Sequence, residues 1–548
     1  MLPNEWISLI DKGIKAKELY GRSKEWDNYL SLYTSEYSGN DILSYNLLYS
    51  MCKATIAKLY YSNPQVTITP SMHSFFNNKS LKNAYIIENI INMLLEDVLD
   101  VKNQSKLAIQ DCILYGIGIY KIGYDSEYGV RTSLLMSQLG DSSISQHEKG
   151  SEDRIEYNSN IKEGMPWVKR VDPRDIVFPW NAMSGDDCQW VAHRMIRHID
   201  DIKGDSKLKN TKDLTVNIKL DKIEKTDMVE LWEIHDYKTG KMYIIATGYN
   251  KFLFDEMDAT QVHGLPFVTF SFNDIGKSIW GIPDSAILMP QLNEMTEIRT
   301  QSAQFRRMAR VKLLIEENSI DKIEMKKLFD DAPVAFIEVK GKPNQVVKEF
   351  TMNIPTDLHQ WGEVVRADSR ELFGFSRIQL GELESTGRKT AYEIAKTSSG
   401  SESRTGERAD VVSDTLKKLI VKIIGILFRF WDEDRIIQLT GVTGPEWVDY
   451  KMSDMKGDYK ISVNIEEGTP FSSIQRKNNI MQVYQTFSND PSIPEDSKQQ
   501  MKQLLVEQFP YLDTSNWKTS SPPSTQPIQG IPQQGGTNGT LSDILQKM

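Results

Sequence analysis

The stretch Trp280-Gly-Ile-Pro-Asp284, followed by Pro290-Gln-Leu-Asn-Glu-Met-Thr-Glu297, marks the change from a β-rich block to a long helix. Proline favours the first turn of a helix, where its missing N–H has no partner to lose, so we place Pro290 in that turn. Apolar and small side chains then recur at helical spacing on one narrow stripe: Leu292, Met295, Ile298, Ser302, Phe305 and Ala309. This spacing predicts a helix that runs to about Arg310.

Two patterns of different period precede this helix. Residues 4–125 are mostly helical in pattern, and the longest helical stretch covers 83–114. Between residues 167 and 272 the period shortens towards two, and turn signals separate the segments, which predicts a β-rich block. Strand-like segments in the helical part are 66–69 and 119–124. Candidate strands of the block are 168–171, 175–178, 190–197, 227–235, 241–247 and 267–272.

The segments after the long helix predict a small α/β unit and a second amphipathic helix. The unit occupies residues 311–352, with strand patterns at 311–316, 333–339 and 346–351 and a helical pattern at 321–329. Thr356 or Asp357 is placed to cap the second helix, and Gly374 is placed to end it. The apolar stripe of this helix consists of Leu358, Trp361, Val365 and Leu372.

The remainder of the chain predicts one more long helix and a short helical end. The long helix begins near Ala391 and reaches about Arg435, with a kink at the small polar residues 397–401. A strand at 459–465 and helices at 472–487 and 494–509 follow. From residue 519 onward the chain is rich in Ser, Pro, Gln, Gly and Thr and has no aromatic residue, which predicts a disordered tail at 519–548.

The composition is that of a folded, acidic protein. Hydrophobic residues make up 39% and charged residues 26% of the 548 residues, which excludes wholesale disorder. Lys and Arg number 65 against 75 Asp and Glu, giving a formal charge of −10. Because tight binding to DNA phosphates needs a strongly basic surface, we do not expect sequence-specific DNA recognition.

Cysteine usage and hydropathy predict a protein of a reducing compartment that does not enter a membrane. Cys52, Cys112 and Cys188 are odd in number and far apart, which argues against a disulfide framework. The most apolar run, residues 419–431, carries two basic residues and is too short to span a bilayer. Charged residues within the first twenty positions argue against a signal peptide.

One loop resembles a phosphate-binding loop only superficially. Gly387-Arg-Lys-Thr390 lacks the glycine spacing of such a loop, and no strand pattern leads into it. The better interpretation of Thr390-Ala-Tyr-Glu393 is a capping box, in which the Thr390 hydroxyl accepts from the Glu393 amide and the Glu393 carboxylate reaches back. The box predicts where the loop ends and the next helix begins.

Two further candidate centres are weak, and we predict no catalytic residue, no metal site and no cofactor. Cys188, His193 and His198 lie close in sequence, but two histidines five residues apart on a strand face opposite sides. The preferred interpretation is therefore that His193 and His198 are ordinary surface or core histidines and not metal ligands. Glu382 and Glu384 mimic a hydrolase pair, but they lie in a polar loop, so solvated carboxylates are preferred.

Basic residues cluster at two places. Arg299, Arg306, Arg307, Arg310 and Lys312 crowd the end of the first long helix, and Arg377, Arg388 and Lys389 lie in the loop before the last one. A charge run is usually a solvated face, and salt bridges to a neighbouring helix are a second explanation for the first cluster. Contact with DNA is the functional hypothesis for both.

Four groups of residues stand in a distinctive order along the chain. They are Gln110-Asp-Cys-Ile-Leu-Tyr-Gly-Ile-Gly118; Arg170-Val-Asp-Pro-Arg-Asp-Ile-Val-Phe178 with Asp187-Cys-Gln-Trp-Val-Ala-His-Arg194; Trp280-Gly-Ile-Pro-Asp284 with Gln291-Leu-Asn-Glu-Met-Thr-Glu297; and Gly387-Arg-Lys-Thr-Ala-Tyr-Glu-Ile394. Together they resemble portal proteins of tailed bacteriophages, of the podovirus type. In that family the corresponding segments are a helix-to-strand passage, the wing strands, the start of the first stem helix and the exit from the tunnel loop.

The resemblance covers most of residues 40–470 and implies a portal fold of the α+β class. This fold has a helical and β-rich wing, a two-helix stem, a small α/β clip, a kinked long helix and a helical C-terminal crown. The implied segments are the wing 1–282 with its β-rich part 165–275, first stem helix 283–310, clip 311–355, second stem helix 356–373, tunnel loop 374–390, long wing helix and returning strand 391–469, crown 470–518 and tail 519–548.

The resemblance also implies a structural virion protein, assembled in the host cytoplasm as a dodecameric ring at one capsid vertex. Double-stranded DNA passes through it without sequence-specific contacts, and the implied protein partners are the major capsid protein, scaffold, terminase and tail adaptors. Implied channel contacts in the tunnel loop are Arg377, Arg388 and Lys389, and the implied stem and clip cluster is Arg306, Arg307, Arg310 and Lys312. The alternatives are a capsid or nucleic-acid processing enzyme with an unrecognised site in the β-rich block, and a cellular helical scaffold.

Overall fold

The computed structural model of the protein describes residues 1–36, 45–60, 63–71, 78–125, 164–205, 207–216, 227–308, 312–315, 320–321, 340, 347–350, 357–375, 391–432, 435–441 and 444–464. The chain divides into two units, Met1–Pro470 and Phe471–Met548, and every described residue belongs to the first. The predicted crown at 470–518 and tail at 519–548 therefore lie outside the described residues.

The described helices lie in the N-terminal part and in long segments after residue 283. Their bounds are α1 Pro3–Tyr20, α2 Trp26–Thr34, α3 Leu47–Leu59, α4 Asn78–Asp97, α5 Val101–Tyr115, α6 Ile199–Gly204, α7 Asp284–Met308, α8 Asp357–Phe373 and α9 Ala391–Phe430. In α1, Glu5 Oε2 accepts the N–H of Leu2 at 2.8 Å, which satisfies a donor at the helix start. Helices α1 to α5 confirm the predicted helical character of residues 4–125.

The strands in the described part of the chain form antiparallel sheets. Their bounds are β1 Gln65–Pro70, β2 Gly118–Asp125, β3 Met165–Arg170, β4 Ile176–Val177, β5 Trp190–His198, β6 Met228–Asp236, β7 Lys241–Ala246, β8 Phe254–Met257, β9 Phe267–Phe270, β10 Lys312–Ile315, β11 Val347–Phe350, β12 Arg435–Gly441, β13 Gly444–Tyr450 and β14 Tyr459–Asn464. The strand orders are β3-β2-β9, β4-β5-β6-β7-β8, β1-β14, β10-β11 and β12-β13. The α+β class and the β-rich block are thereby confirmed.

The predicted strands of the block are present as β3 to β7 and β9, with their ends shifted. The short helix α6, the strand β8 and the hairpin β12–β13 were not predicted. The predicted last long helix reaches about Arg435, whereas α9 ends at Phe430. The first strand of the hairpin begins at Arg435. In β8, Asp255 and Glu256 are exposed and the strand is defined by pairing with β7, so its own sequence carries little strand signal.

The helical pattern of residues 83–114 is divided into two helices, α4 and α5. The N–H groups of Val98 and Leu99 both donate to Leu94 O, at 3.1 and 2.9 Å, and Asp100 has a φ of 45°. Asp tolerates this left-handed conformation better than most residues. The turn buries the side chains of Leu99 and Val101, and this gain of apolar burial explains why the helix does not continue.

Helix α7 begins at Asp284, so the prediction that Pro290 occupies the first turn is wrong. Tertiary hydrogen bonds hold the earlier start: Ser285 Oγ donates to Leu114 O at 2.8 Å, and Asn273 Nδ2 donates to Asp284 Oδ1 at 2.9 Å. Pro290 lies inside the helix, where it removes one backbone hydrogen bond. The contacts of the first turn decide the helix start against the preference of the proline.

Helix α9 runs without a break from Ala391 to Phe430, so an interruption of the helix at residues 397–401 is wrong, while the kink predicted there stays a prediction. Ser, Thr and Gly in a helix interior each cost up to about 1 kcal/mol relative to Ala, an amount that packing elsewhere offsets. The packing lies further along the helix, at Val412, Leu416, Leu419, Ile420, Ile423 and Leu427, all of which are buried. Among the described helices, none is both long and apolar enough to cross a bilayer.

The main hydrophobic core joins the N-terminal helices to α9 and to the sheet β3-β2-β9. A separate core lies under α1, where Trp6 and Ile10 pack on Trp190, Trp232 and Tyr243 of the five-stranded sheet. Gly13 allows this approach, because a Cβ on it would lie 2.5 Å from Phe178 O. Helix α1 therefore packs on one face of the five-stranded sheet.

The two-stranded sheet β1-β14 has both of its outer edges covered by helices. Along β1, Asn92 of α4 exchanges two hydrogen bonds with the backbone of Val66, at 3.1 and 3.0 Å, and Glu88 accepts the N–H of Ile68 at 2.7 Å. Along β14, Ser413 of α9 donates to Val463 O at 3.1 Å. These side chains satisfy strand groups that an exposed edge would leave open to another strand.

Candidate functional site

Helices α7 and α8, the predicted stem helices, pack against each other and leave an apolar face of α8 exposed. The close approach is seen at Gly362, where an added Cβ would lie 3.9 Å from Ile298 Cγ2, and Val365 is buried at 2% exposure. Close to Val365 on the same stripe of α8, Trp361, Val364 and Leu372 are 54%, 45% and 40% exposed. The predicted stripe is thus only partly covered, since Val365 is buried whereas Trp361 and Leu372 remain exposed. We call Trp361, Val364 and Leu372 the outer face of α8.

Arg299 does not belong to a solvated basic face. Its guanidinium carbon lies 4.1 Å from the centre of the Tyr45 ring, and that of Arg366 on α8 lies 5.2 Å from the same ring. Two cations, one from α7 and one from α8, therefore contact one aromatic ring that precedes α3. The contact links α7 and α8 to the N-terminal helical part.

The remaining residues of the predicted basic cluster are only partly described. Arg306 and Arg307 lie exposed in the last turn of α7, and Arg306 Nε donates to Ser302 O at 3.3 Å. Lys312 is the first residue of β10, which pairs with β11. Arg310 lies outside the described residues. A role of these four residues in contacting DNA stays a prediction.

The predicted channel residues Arg377, Arg388 and Lys389 lie outside the described residues, as does Thr390. The helix start predicted by the capping box agrees with α9, which begins at Ala391 and places Glu393 in its first turn. The box itself, and the contact of the three basic residues with DNA, stay predictions.

A buried charged cluster that the sequence interpretation missed joins the two sheets of the β-rich block. Lys121 of β2 donates to both carboxylate oxygens of Glu233 on β6, at 2.7 Å each. The ring of His235 lies between two carboxylates, with Nε2 2.7 Å from Glu233 Oε1 and Nδ1 2.6 Å from Asp258 Oδ2. Glu233 and His235 are two residues apart on one strand, so their side chains lie on the same face of the sheet. This spacing is the sequence signal that could have identified the cluster.

The pairing in this cluster requires a positively charged His235, because only the imidazolium donates from both nitrogens. Burial lowers the pKa of His235, but hydrogen bonds to Asp258 and Glu233 outweigh burial and raise it. Burial raises the pKa of Glu233, but Lys121 and the two histidines hold it well below its usual range. Burial likewise raises the pKa of Asp258, and its bonds with His235 and Thr260 lower it to about 2.

The three residues considered for a metal site have different partners. Cys188 Sγ lies 3.4 Å from Ser184 O, and His193 Nδ1 lies 3.5 Å from Lys121 Nζ at the margin of the charged cluster. His198 Nδ1 accepts the N–H of Asp200 at the start of α6, at 3.3 Å. Within the described ranges, no group of three or more Asp, Glu, His or Cys side chains is arranged to hold a metal ion.

Comparison with known proteins identifies the class. Residues 225–508, more than half of the chain, match the family model described as Phage SU10 portal protein. The chain therefore belongs to the SU10 portal family. It is a portal protein of a phage, and proteins of this family are structural components of the virion.

Two other comparisons add little to this assignment. Among curated proteins, none matches the chain in sequence. A solved structure titled "Neck of native GTA particle computed with C12 symmetry" aligns with 87% of this chain and 93% of its own, at 9% sequence identity and a TM-score of 0.40. At that TM-score the likeness is too weak to support conclusions about this chain.

Proposed function

We propose that this portal protein forms a dodecameric ring of the podovirus type at one capsid vertex and is the channel for genome packaging and ejection. The observation that supports assembly is the outer face of α8. Trp361, Val364 and Leu372 are apolar side chains on the helix that packs against α7, and about half of their surface stays exposed in the described part of one subunit. A ring buries this face against the neighbouring copy.

The proposed number of twelve subunits and the proposed partners follow from the resemblance of the sequence to portal proteins. By that resemblance, residues 311–355 dock terminase during packaging and tail adaptors afterwards, and the wing contacts the major capsid protein and scaffold. The acidic net charge of −10 per copy supports a channel that repels DNA along most of its wall. The charged cluster of the β-rich block gives no support to the enzyme alternative, because its carboxylates are engaged with Lys121 and His235.

The assembly proposal predicts that Trp361→Glu weakens ring formation. A tryptophan buried at the centre of an interface contributes about 2 kcal/mol or more to the free energy of association, which corresponds to ~30-fold in affinity. We expect the unmodified protein to form rings with a central hole in negative-stain images, and Trp361→Glu to sediment mainly as the 62.8 kDa subunit.

Trp180→Glu is the matched control, because Trp180 is 62% exposed but lies in the loop after β4. It should leave ring formation unchanged. If the unmodified protein remains a 62.8 kDa monomer at high concentration, the proposed ring is wrong. If rings persist in Trp361→Glu, the assignment of the outer face of α8 is wrong.

The proposed channel contacts predict an effect on DNA and not on stability. Contacts of Arg388 and Lys389 with a moving duplex have to be weak, exposed and sensitive to salt, because a firm grip would stall the DNA. Arg388→Ala combined with Lys389→Ala should leave melting temperature and ring formation nearly unchanged and should lower the DNA packaged or retained in heads.

The matched control is Lys12→Ala combined with Lys15→Ala, which removes the same charge from exposed positions on α1. Heads that contain this control should package normally. Wild-type packaging and retention in the Arg388 and Lys389 double variant would show that these two charges are only solvated.

A further inference from the structure

We propose that Arg408 is a positioning residue that holds the C-terminal end of α8 against the first turn of α7 and against α9. It thereby sets the direction in which the chain leaves the second stem helix. The inference rests on the proposed function only in treating the segment after Phe375 as the tunnel loop. The contacts that carry it all lie among the described residues.

The ionic part of the joint is the pair of Arg408 and Asp284. Arg408 Nη2 donates to Asp284 Oδ1 at 2.9 Å, and the two side chains are 17% and 5% exposed. Asn273 Nδ2 donates to the same oxygen at 2.9 Å, while Asp284 Oδ2 is buried and has no hydrogen-bond partner among the described residues. A buried carboxylate needs a compensating positive charge. Asp284 therefore holds the guanidinium of Arg408 at one position beside its Oδ1 atom. The pair joins α9 to the first residue of α7.

The stacked part of the joint brings in the end of α8. The guanidinium carbon of Arg408 lies 5.2 Å from the ring centre of Phe272 and 5.7 Å from that of Phe373. Phe373 is the last residue of α8, and its ring lies parallel to that of Phe375, with centres 6.3 Å apart. One guanidinium thus contacts a residue just after β9, the start of α7 and the end of α8.

The backbone between the two stacked rings is itself well defined. Gly374 has a φ of 74°, its N–H donates to Glu371 O at 3.1 Å, and the N–H of Phe375 donates to Arg370 O at 3.0 Å. These bonds form a helix-ending turn that favours glycine. Since the ring of Phe373 is held by Arg408, and the ring of Phe375 stacks on it, the turn has one orientation relative to α7 and α9.

Arginine suits this position better than lysine. A planar guanidinium hydrogen bonds in its plane and stacks through its faces, whereas an ammonium group keeps the charge but cannot stack in the same way. Arg408→Lys therefore preserves compensation of Asp284 and removes the contact with Phe272 and Phe373. The Arg408→Lys variant therefore tests the positioning of α8 separately from the stability that the ion pair with Asp284 provides.

The test compares amide hydrogen exchange in full-length Arg408→Lys, Phe373→Leu and unmodified protein, together with their melting temperatures. We expect exchange at Gly374 and Phe375 to rise about tenfold in both variants, with little change in the core strands β5 and β6. Arg299→Lys is the matched control, because it removes a stacked guanidinium from Tyr45 in the same helix pair without touching this joint. It should leave exchange at Gly374 and Phe375 unchanged.

Two results would overturn the inference. One is unchanged exchange at Gly374 and Phe375 in both joint variants, and the other is an equal rise throughout the molecule or in the Arg299 control. Exchange is measured at the level of the subunit, so a failure to form rings would contradict the proposed function and leave this result interpretable. Rings with unchanged exchange at these two positions would contradict only the role of Arg408.

Discussion

Replacing Gly116 by alanine should lower the free energy of unfolding by about 2–5 kcal/mol, combining a left-handed backbone penalty with overpacking of a dense site. Gly116 follows α5 with a φ of 86°. A Cβ there would lie 2.3 Å from Gly281 O and 3.0 Å from Pro283 N. Both neighbours are backbone atoms, so a change of side-chain rotamer cannot relieve the contact.

The effect is large because the chain enters α7 at this point. Gly281 faces Gly116 from the other side, with an added Cβ 2.7 Å from Gly116 O, and the two backbones pass each other without side chains between them. The measurement is a denaturant titration followed by circular dichroism. Gly406→Ala is the control, since no atom of the described residues lies within 4 Å of its added Cβ on α9 and alanine favours a helix. Equal midpoints for Gly116→Ala and the unmodified protein would contradict this explanation.

The charged cluster predicts a second large effect, which depends on pH. His235→Gln should lower the free energy of unfolding by about 3 kcal/mol at pH 6, because it removes the cation between two buried carboxylates. The folded-state pKa of His235 is raised above its unfolded value near 6.5. Its contribution is therefore fully present below about pH 6.5 and is lost as the pH rises through the raised pKa.

The groups around His235 support this sign. Glu233 and Asp258 accept from its two nitrogens, Lys121 compensates Glu233, and His193 lies at the margin with a pKa lowered by burial and by Lys121. The destabilisation caused by His235→Gln should shrink as the pH increases, as measured by denaturant titrations at several pH values. His198→Gln is the control, because His198 is partly exposed and lies at the start of the short helix α6, away from the charged cluster. A difference for His235→Gln that does not change with pH would contradict the prediction.

Local patterns in the sequence predicted element types well and their tertiary partners poorly. Period two identified 66–69 and 459–465 as strands, and both are present, but nothing local indicates that β1 pairs with β14. Pro290 was wrongly placed in the first turn of α7 because its preference is local, whereas the bond from Ser285 to Leu114 O comes from residues far away in sequence. Helix α9 is uninterrupted for a similar reason. The burial of apolar side chains after Ala409 outweighs the low helix propensity of the small polar residues near its start.

Charged residues were the hardest to interpret from sequence. Arg299 was grouped with neighbouring cations, yet its guanidinium lies over the ring of Tyr45. Arg408 and Asp284 are 124 residues apart in sequence, and no sequence motif links the two. The signals that were present are modest: Asp284 follows a proline at a helix start, and Glu233 shares a strand face with His235. Only packing shows which charged side chains are removed from water.

The pairing of β1 with β14 also bears on how the protein is made. Thr69 and Lys460, which hydrogen bond across this sheet, are 391 residues apart in the chain. A ribosome adds roughly 5–20 residues per second, so β1 waits about 20–80 seconds for its partner strand after it has been synthesised. During that interval Asn92 and Glu88 of α4 are already available to cover one edge of β1. A chain that is released before β14 cannot complete this sheet, so only copies that extend through Asn464 can finish folding this part of the protein.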